Sequence, residues 1–84
     1  MNITPTLGRM VWYKPPLDHT TRLGEFHSAQ VVHVWNDSCV NLSVLDSVGH
    51  QYPVTSVPLH QGEPDDCPVG SCCWMPYQKA QAGK

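Results

Sequence analysis

Basic residues are scarce in this chain. Five Lys and Arg stand against seven Asp and Glu, a net charge of −2 with His neutral, so no global positive field draws the protein onto nucleic acid or an anionic membrane. Arg9, Lys14 and Arg22 are the only basic side chains placed to form a local patch. No apolar run approaches the ~20 residues of a membrane-spanning helix. The first residues also lack the charged, apolar and small-residue regions of a secretory signal, and the expectation is a soluble cytoplasmic protein. The spaced cysteine framework of a secreted mini-protein is missing too: Cys72 and Cys73 are adjacent and Cys39 falls within an apolar alternation, which predicts reduced thiols. Charged residues make up only 14%, with eight Pro and six Gly, and that balance suits a turn-rich β domain better than a helical or disordered one.

What is present is a β meander. Eighty-four residues make one domain with a small core, since a chain this short buries only about 60% of its unfolded surface; it has no room for a large internal pocket. Residues 28–59 read as three strands joined by two tight turns. In the second turn Val40, Leu42 and Val44 alternate with Asn41 and Ser43, the period of a strand with one buried face. A three-residue loop, Ser47-Val48-Gly49, sets Val44 opposite Tyr52 and Leu42 opposite Val54, and puts Gly49 at the left-handed position such loops require. For the first turn, a three-residue loop Asn36-Asp37-Ser38 pairs Val34 with Val40 and Val32 with Leu42, turning Trp35 and His33 outward. A two-residue loop would exchange the faces and send Ala29, Val31, His33 and Trp35 inward; the first register is the expectation.

The flanking segments suggest closure. Residues 1–7 form a short leader, mobile or lying along the barrel edge. Gly8 to Tyr13 reads as strand 1, with Met10 and Trp12 on one face and Val11 and Tyr13 on the other, stopped by Pro15-Pro16. Residues 14–27 show neither strand nor helix period and make a long loop. After Val54 the apolar phase shifts to Val57 and Leu59, so a bend or 3₁₀ turn near Ser56 and Pro58 must absorb one residue. His60 to Ser71 is an acidic Gly- and Pro-bearing loop. Cys72 to Tyr77 supplies a closing strand or a flap anchored by Trp74, and residues 79–84 a disordered tail. The expected fold is therefore all-β, a small SH3-like barrel of about five strands with a long loop between strands 1 and 2, occupying residues 1–78.

Three stretches carry a resemblance: Gly8-Arg9-Met10-Val11-Trp12-Tyr13, Val34-Trp35-Asn36-Asp37-Ser38-Cys39-Val40-Asn41-Leu42 and Tyr52-Pro53-Val54-Thr55-Ser56-Val57. Together they resemble small uncharacterised proteins of tailed bacteriophages and prophages with a G-R-x-V-x-Y start, a V-W-x-D-x-C-V-N centre and a Y-P-V-T-S-V third segment. The resemblance spans residues 5–59, with a Trp-x-Pro-like ending at Trp74 to Pro76. It implies a viral or prophage origin and the bacterial host cytoplasm, or incorporation in the virion, and brings no assigned activity. The cluster of Cys67, Cys72 and Cys73 departs from that pattern.

Candidate sites are few. His60, Cys67, Cys72 and Cys73 offer zinc-type donors, but strong zinc motifs use C-x₂₋₄-C knuckles and adjacent cysteines point oppositely in an extended chain. Incidental reduced cysteines explain them more simply. Cys39 with His33 or His50 could make a nucleophilic pair, against the simpler reading of a small buried hydrophobe. No cofactor and no enzymatic activity are expected. Exposed aromatics are the better lead, because Trp and Tyr anchor interfaces. The expected partner surface comprises Tyr13, His19, Arg22, Trp35 and Trp74, with Trp35 covering a minor core beside Trp74 and Val11 as the bland reading. The function expected is protein binding, with a virion component or host factor as partner. Nucleic-acid binding by the same barrel is the alternative, and a zinc-stabilised regulatory domain a third.

Overall fold

The computed structural model describes residues 3–16 and 25–82. Five strands close into a barrel in the order β1-β2-β3-β4-β5: β1 (Met10–Tyr13), β2 (His27–Asn36), β3 (Cys39–Leu45), β4 (Gln51–His60) and β5 (Cys72–Cys73). A 3₁₀ turn (Pro64–Asp66) interrupts the chain between β4 and β5, and a short helix α1 (Pro76–Ala82) follows. Strand, long connection, three-strand meander, 3₁₀ turn and closing strand is an SH3-like order. All neighbours are antiparallel except β4 and β5.

The β3–β4 hairpin follows from local chemistry. Val44 pairs with Tyr52 and Leu42 with Val54, as the alternation requires. Gly49 sits at φ +86°, where a residue without Cβ escapes the clash that an L side chain meets. Asp46 completes the turn: its Oδ1 accepts the Val48 and His50 amides at 3.0 and 2.8 Å. Further along, Thr55 and Ser56 together oppose Asn41, since Val40 pairs with Val57 and Leu42 with Val54. The expected phase change is thus a β-bulge inside one continuous strand, not a 3₁₀ turn, with Ser56 at φ +54°.

Strand β2 corrects the sequence expectation. The loop to β3 has two residues, because Asn36 pairs with Cys39. Register shifts lie between Val31 and His33 and between Val34 and Asn36, so Val32 and Trp35 are extra residues against β3. Val34 does face Val40, but Val31, not Val32, lies opposite Leu42. Val31 is 1% exposed and Val32 48% exposed. Neither regular register survives: Ala29 and Val31 point inward as in one, His33 and Trp35 outward as in the other.

The core gathers Ile3, Val11, Tyr13, Ala29, Val31, Val40, Leu42, Val44, Val57, Leu59, Cys72 and Trp74. The leader is part of it: Ile3 is buried, its amide donates to Gln61 Oε1 and its carbonyl accepts from Gln61 Nε2, both at 2.9 Å. The tail is likewise ordered as far as it is described, since α1 covers part of the segment expected to be disordered. Buried Gln78 explains this, because its Nε2 donates to the Met10 carbonyl at 2.8 Å while its Oε1 accepts the Met75 amide at 2.8 Å. Among the described residues no helix is long and apolar enough to cross a membrane.

Candidate interaction surface

Where bulges in β2 and β4 flank Asn41, the outer face of the sheet carries a fixed aromatic group. Trp35 is 58% exposed, yet its Nε1–H donates to Asn41 Oδ1 at 2.9 Å. The same oxygen accepts the Ser56 amide at 2.7 Å, so one carboxamide ties the indole to the β4 bulge. His33, cross-strand partner of Asn41, meets Trp35 edge-on with ring centroids 4.5 Å apart. Val32 is exposed in the same stretch of β2. A large apolar ring is thereby held in one pose in water, with no Lys or Arg among these neighbours.

The other residues expected in this surface do not join it. Tyr13 is 5% exposed and Trp74 fully buried, because β5 pairs with β1 and folds the last apolar stretch onto the core. Burial, with Cys72 beside it, raises the Tyr13 hydroxyl above its ordinary pKa. Trp74 packs beneath Arg9, whose guanidinium carbon lies 5.4 Å from the ring centroid; the indole N–H has no hydrogen-bond partner among the described residues. Both belong to the core, and Trp35 covers no second core with Trp74 and Val11. His19 and Arg22 lie outside the described residues. Of the 14–27 loop, Phe26 stacks on Trp12 at 5.1 Å and Lys14 Nζ lies 5.9 Å from the Phe26 centroid.

The zinc-type donors are separated by their strands. Cys72 points into the barrel, where its thiol donates to the Pro58 carbonyl at 3.5 Å. Cys73, next along the extended chain, is turned to the opposite face of the strand, and it too is buried. The His60 ring is covered by backbone, since a Cβ at Gly62 would fall 2.7 Å from its Nε2. Among the described residues no three His, Cys, Asp or Glu converge to hold a metal ion. Burial pushes the Cys72 and Cys73 thiols up to about 12, with Cys67 adding to both shifts.

A polar chain at one end of the barrel escaped the sequence reading. Buried His27 lies 2.8 Å from Glu25 Oε2 through Nε2 and 2.9 Å from the Tyr52 hydroxyl through Nδ1. An ionised carboxylate only accepts, so Nε2 carries a proton and donates to Glu25. The chain joins the start of β2 to β4 across the interior. Adjacent Asp46 is held below the usual carboxylate range by the His50 and Val48 amides and the nearby His50 and His27 rings. His27 and Tyr52 are 25 residues apart and carry no motif, so only the closed sheet brings them together. His33 and Asn41 were likewise visible only as an outward parity. No family model, curated protein or solved structure matches the chain.

Proposed function

We propose that this barrel is a non-enzymatic binding module that engages another protein through the surface centred on Trp35. The observation that carries the reading is the indole itself, exposed and immobilised by Asn41. Trp is the residue type most enriched among interface anchors. A side chain already held in place loses less conformational freedom on docking, which leaves more of its contact energy as affinity. Val32 and His33 extend the patch with apolar and adaptable polar area. Among the described residues, the hydrogen-bond and ring partners of Trp35 are Asn41 and His33 and include no Lys or Arg, which favours a protein over a nucleic-acid partner, because nucleic-acid binding rests on phosphate neutralisation.

The resemblance to small phage and prophage proteins supports a bacterial host cytoplasm or virion as the setting, and a virion component or host factor as the partner. The test is affinity capture from infected or lysogenic cells with wild-type bait, Trp35→Ala bait and a Val48→Ala control at the exposed hairpin tip. One protein retained by wild type and Val48→Ala but lost by Trp35→Ala is expected. Equal retention by all three baits, or retention only of nucleic acid that washes off with modest salt, would overturn the reading.

A further inference from the structure

We propose that Tyr52 is a nucleophilic site that captures the acyl group of an activated ester, with His27 as its general base. Covalent chemistry at a hydroxyl needs a base within hydrogen-bond reach and a third group that holds the base in one orientation. The end of β2 far from Trp35 supplies both. Ala29, Val44 and Tyr52 form one row across β2, β3 and β4, and His27 lies two residues before Ala29 on the same buried face. Its ring meets the Tyr52 ring edge-on, with centroids 6.2 Å apart. Glu25 accepts from His27 Nε2–H at 2.8 Å, which leaves Nδ1 as the acceptor for the Tyr52 hydroxyl at 2.9 Å. The phenol proton therefore already lies on the nitrogen that would remove it.

Burial and charge suit the two groups to these roles. Tyr52 is half-buried, open enough to meet a small ester, while His27 is only 6% exposed and so shielded from competing water. Among the described residues, the titratable groups set toward His27 are Glu25, Tyr52, Tyr13 opposite it in register, and Asp46, whose carboxyl the His27 ring helps to hold low. The two carboxylates favour the imidazolium that forms when Tyr52 gives up its proton. In the step itself the phenol oxygen attacks the acyl carbon and its proton passes to His27 Nδ1. The bond from that carbon to the leaving oxygen then breaks, the leaving group departs as an oxyanion, and the acyl group stays on Tyr52 as an ester. His27 returns the proton to solvent. The capture is stoichiometric and does not rest on the role of Trp35.

The experiment treats the full chain with p-nitrophenyl acetate and maps acetylated tyrosines by digestion and mass spectrometry, with Tyr77, 61% exposed on α1, as internal reference. Near neutral pH Tyr52 should be acetylated about tenfold or more faster than Tyr77, the scale of general-base assistance. Its pH profile should level off well below about 10, where an unaided phenol is still gaining reactivity. His27→Gln should erase the advantage over Tyr77, and Glu25→Gln should reduce it and change where the profile levels off. The wild-type comparison of the two tyrosines stands even where a variant fails to fold. Tyr77 reacting as fast as Tyr52, a Tyr52 profile that follows phenol ionisation, or an undiminished Tyr52 rate in folded His27→Gln would each overturn the proposal.

Discussion

Asn41 Oδ1 receives the Trp35 indole N–H at 2.9 Å while accepting the Ser56 backbone amide at 2.7 Å. This one oxygen joins the most exposed tryptophan to the one non-glycine described residue with positive φ. Asn41→Ala should therefore loosen the Trp35 indole and unsettle the β4 bulge together, at a stability cost of about 0.5–1.5 kcal/mol for lost hydrogen bonds. Relaxation of the Trp35 indole resonance by NMR checks it; an indole equally ordered in both proteins would contradict the link.

The bulged register of β2 makes a sharp contrast among three neighbours. Val31→Ala should destabilise by roughly 1–3 kcal/mol through lost burial and the cavity left. Val32→Ala should stay within about 0.5 kcal/mol. Trp35→Ala should cost little folding energy yet weaken partner affinity by about 2 kcal/mol or more. Denaturant melts of the three variants decide it, and a Trp35→Ala loss exceeding that of Val31→Ala would refute the surface.

At Gly49 the difficulty of substitution is conformational alone. No atom lies within 4 Å of a Cβ built there, while φ is +86°. Gly49→Val should lose at least ~1 kcal/mol, and Gly49→Asn distinctly less, since Asn tolerates the left-handed region. Equal losses in urea melts would mean that space, not φ, limits the site.

Asp46 predicts an acid-side dependence of stability. Its folded pKa is depressed, first by the His50 amide, so its contribution is complete above the unfolded value of about 3.9 and disappears as pH falls through the folded value. Asp46→Asn should melt below wild type near neutral pH, and the gap should close as pH drops below about 4. Thermal melts across that range give the answer; a gap independent of pH would exclude the carboxylate charge as its source.

How far the sequence speaks depends on whether local and distant chemistry agree. The β3–β4 register was legible because Gly49 and the parity of Val40, Leu42 and Val44 demand the same loop. Strand β2 was not, since Val31, Val32 and Val34 are all apolar and no residue marks which one the bulge expels. Trp35 was expected outward from a three-residue loop that the chain does not form; it is outward instead because the second bulge leaves it so. Tyr13 and Trp74 were misplaced because their burial follows from pairing of Trp12 with Cys73 and Tyr13 with Cys72, contacts between opposite ends of the chain. Helix α1 was hidden for a similar reason: the tether of Gln78 to Met10 is tertiary.

Closure of the barrel by a two-residue strand also sets an order of events in folding. The β2–β3–β4 meander joins neighbours through short turns and can assemble from local encounters. By contrast, β5 must find both β1 and β4, and such non-local pairing requires loop-closure entropy before any contact rewards it. Trp74 enters the core only in that last step. On refolding, the meander is therefore expected to form first as an open, curved sheet with its apolar face uncovered until the stretch around Trp74 docks, and that interval is when the chain is most exposed to association with copies of itself.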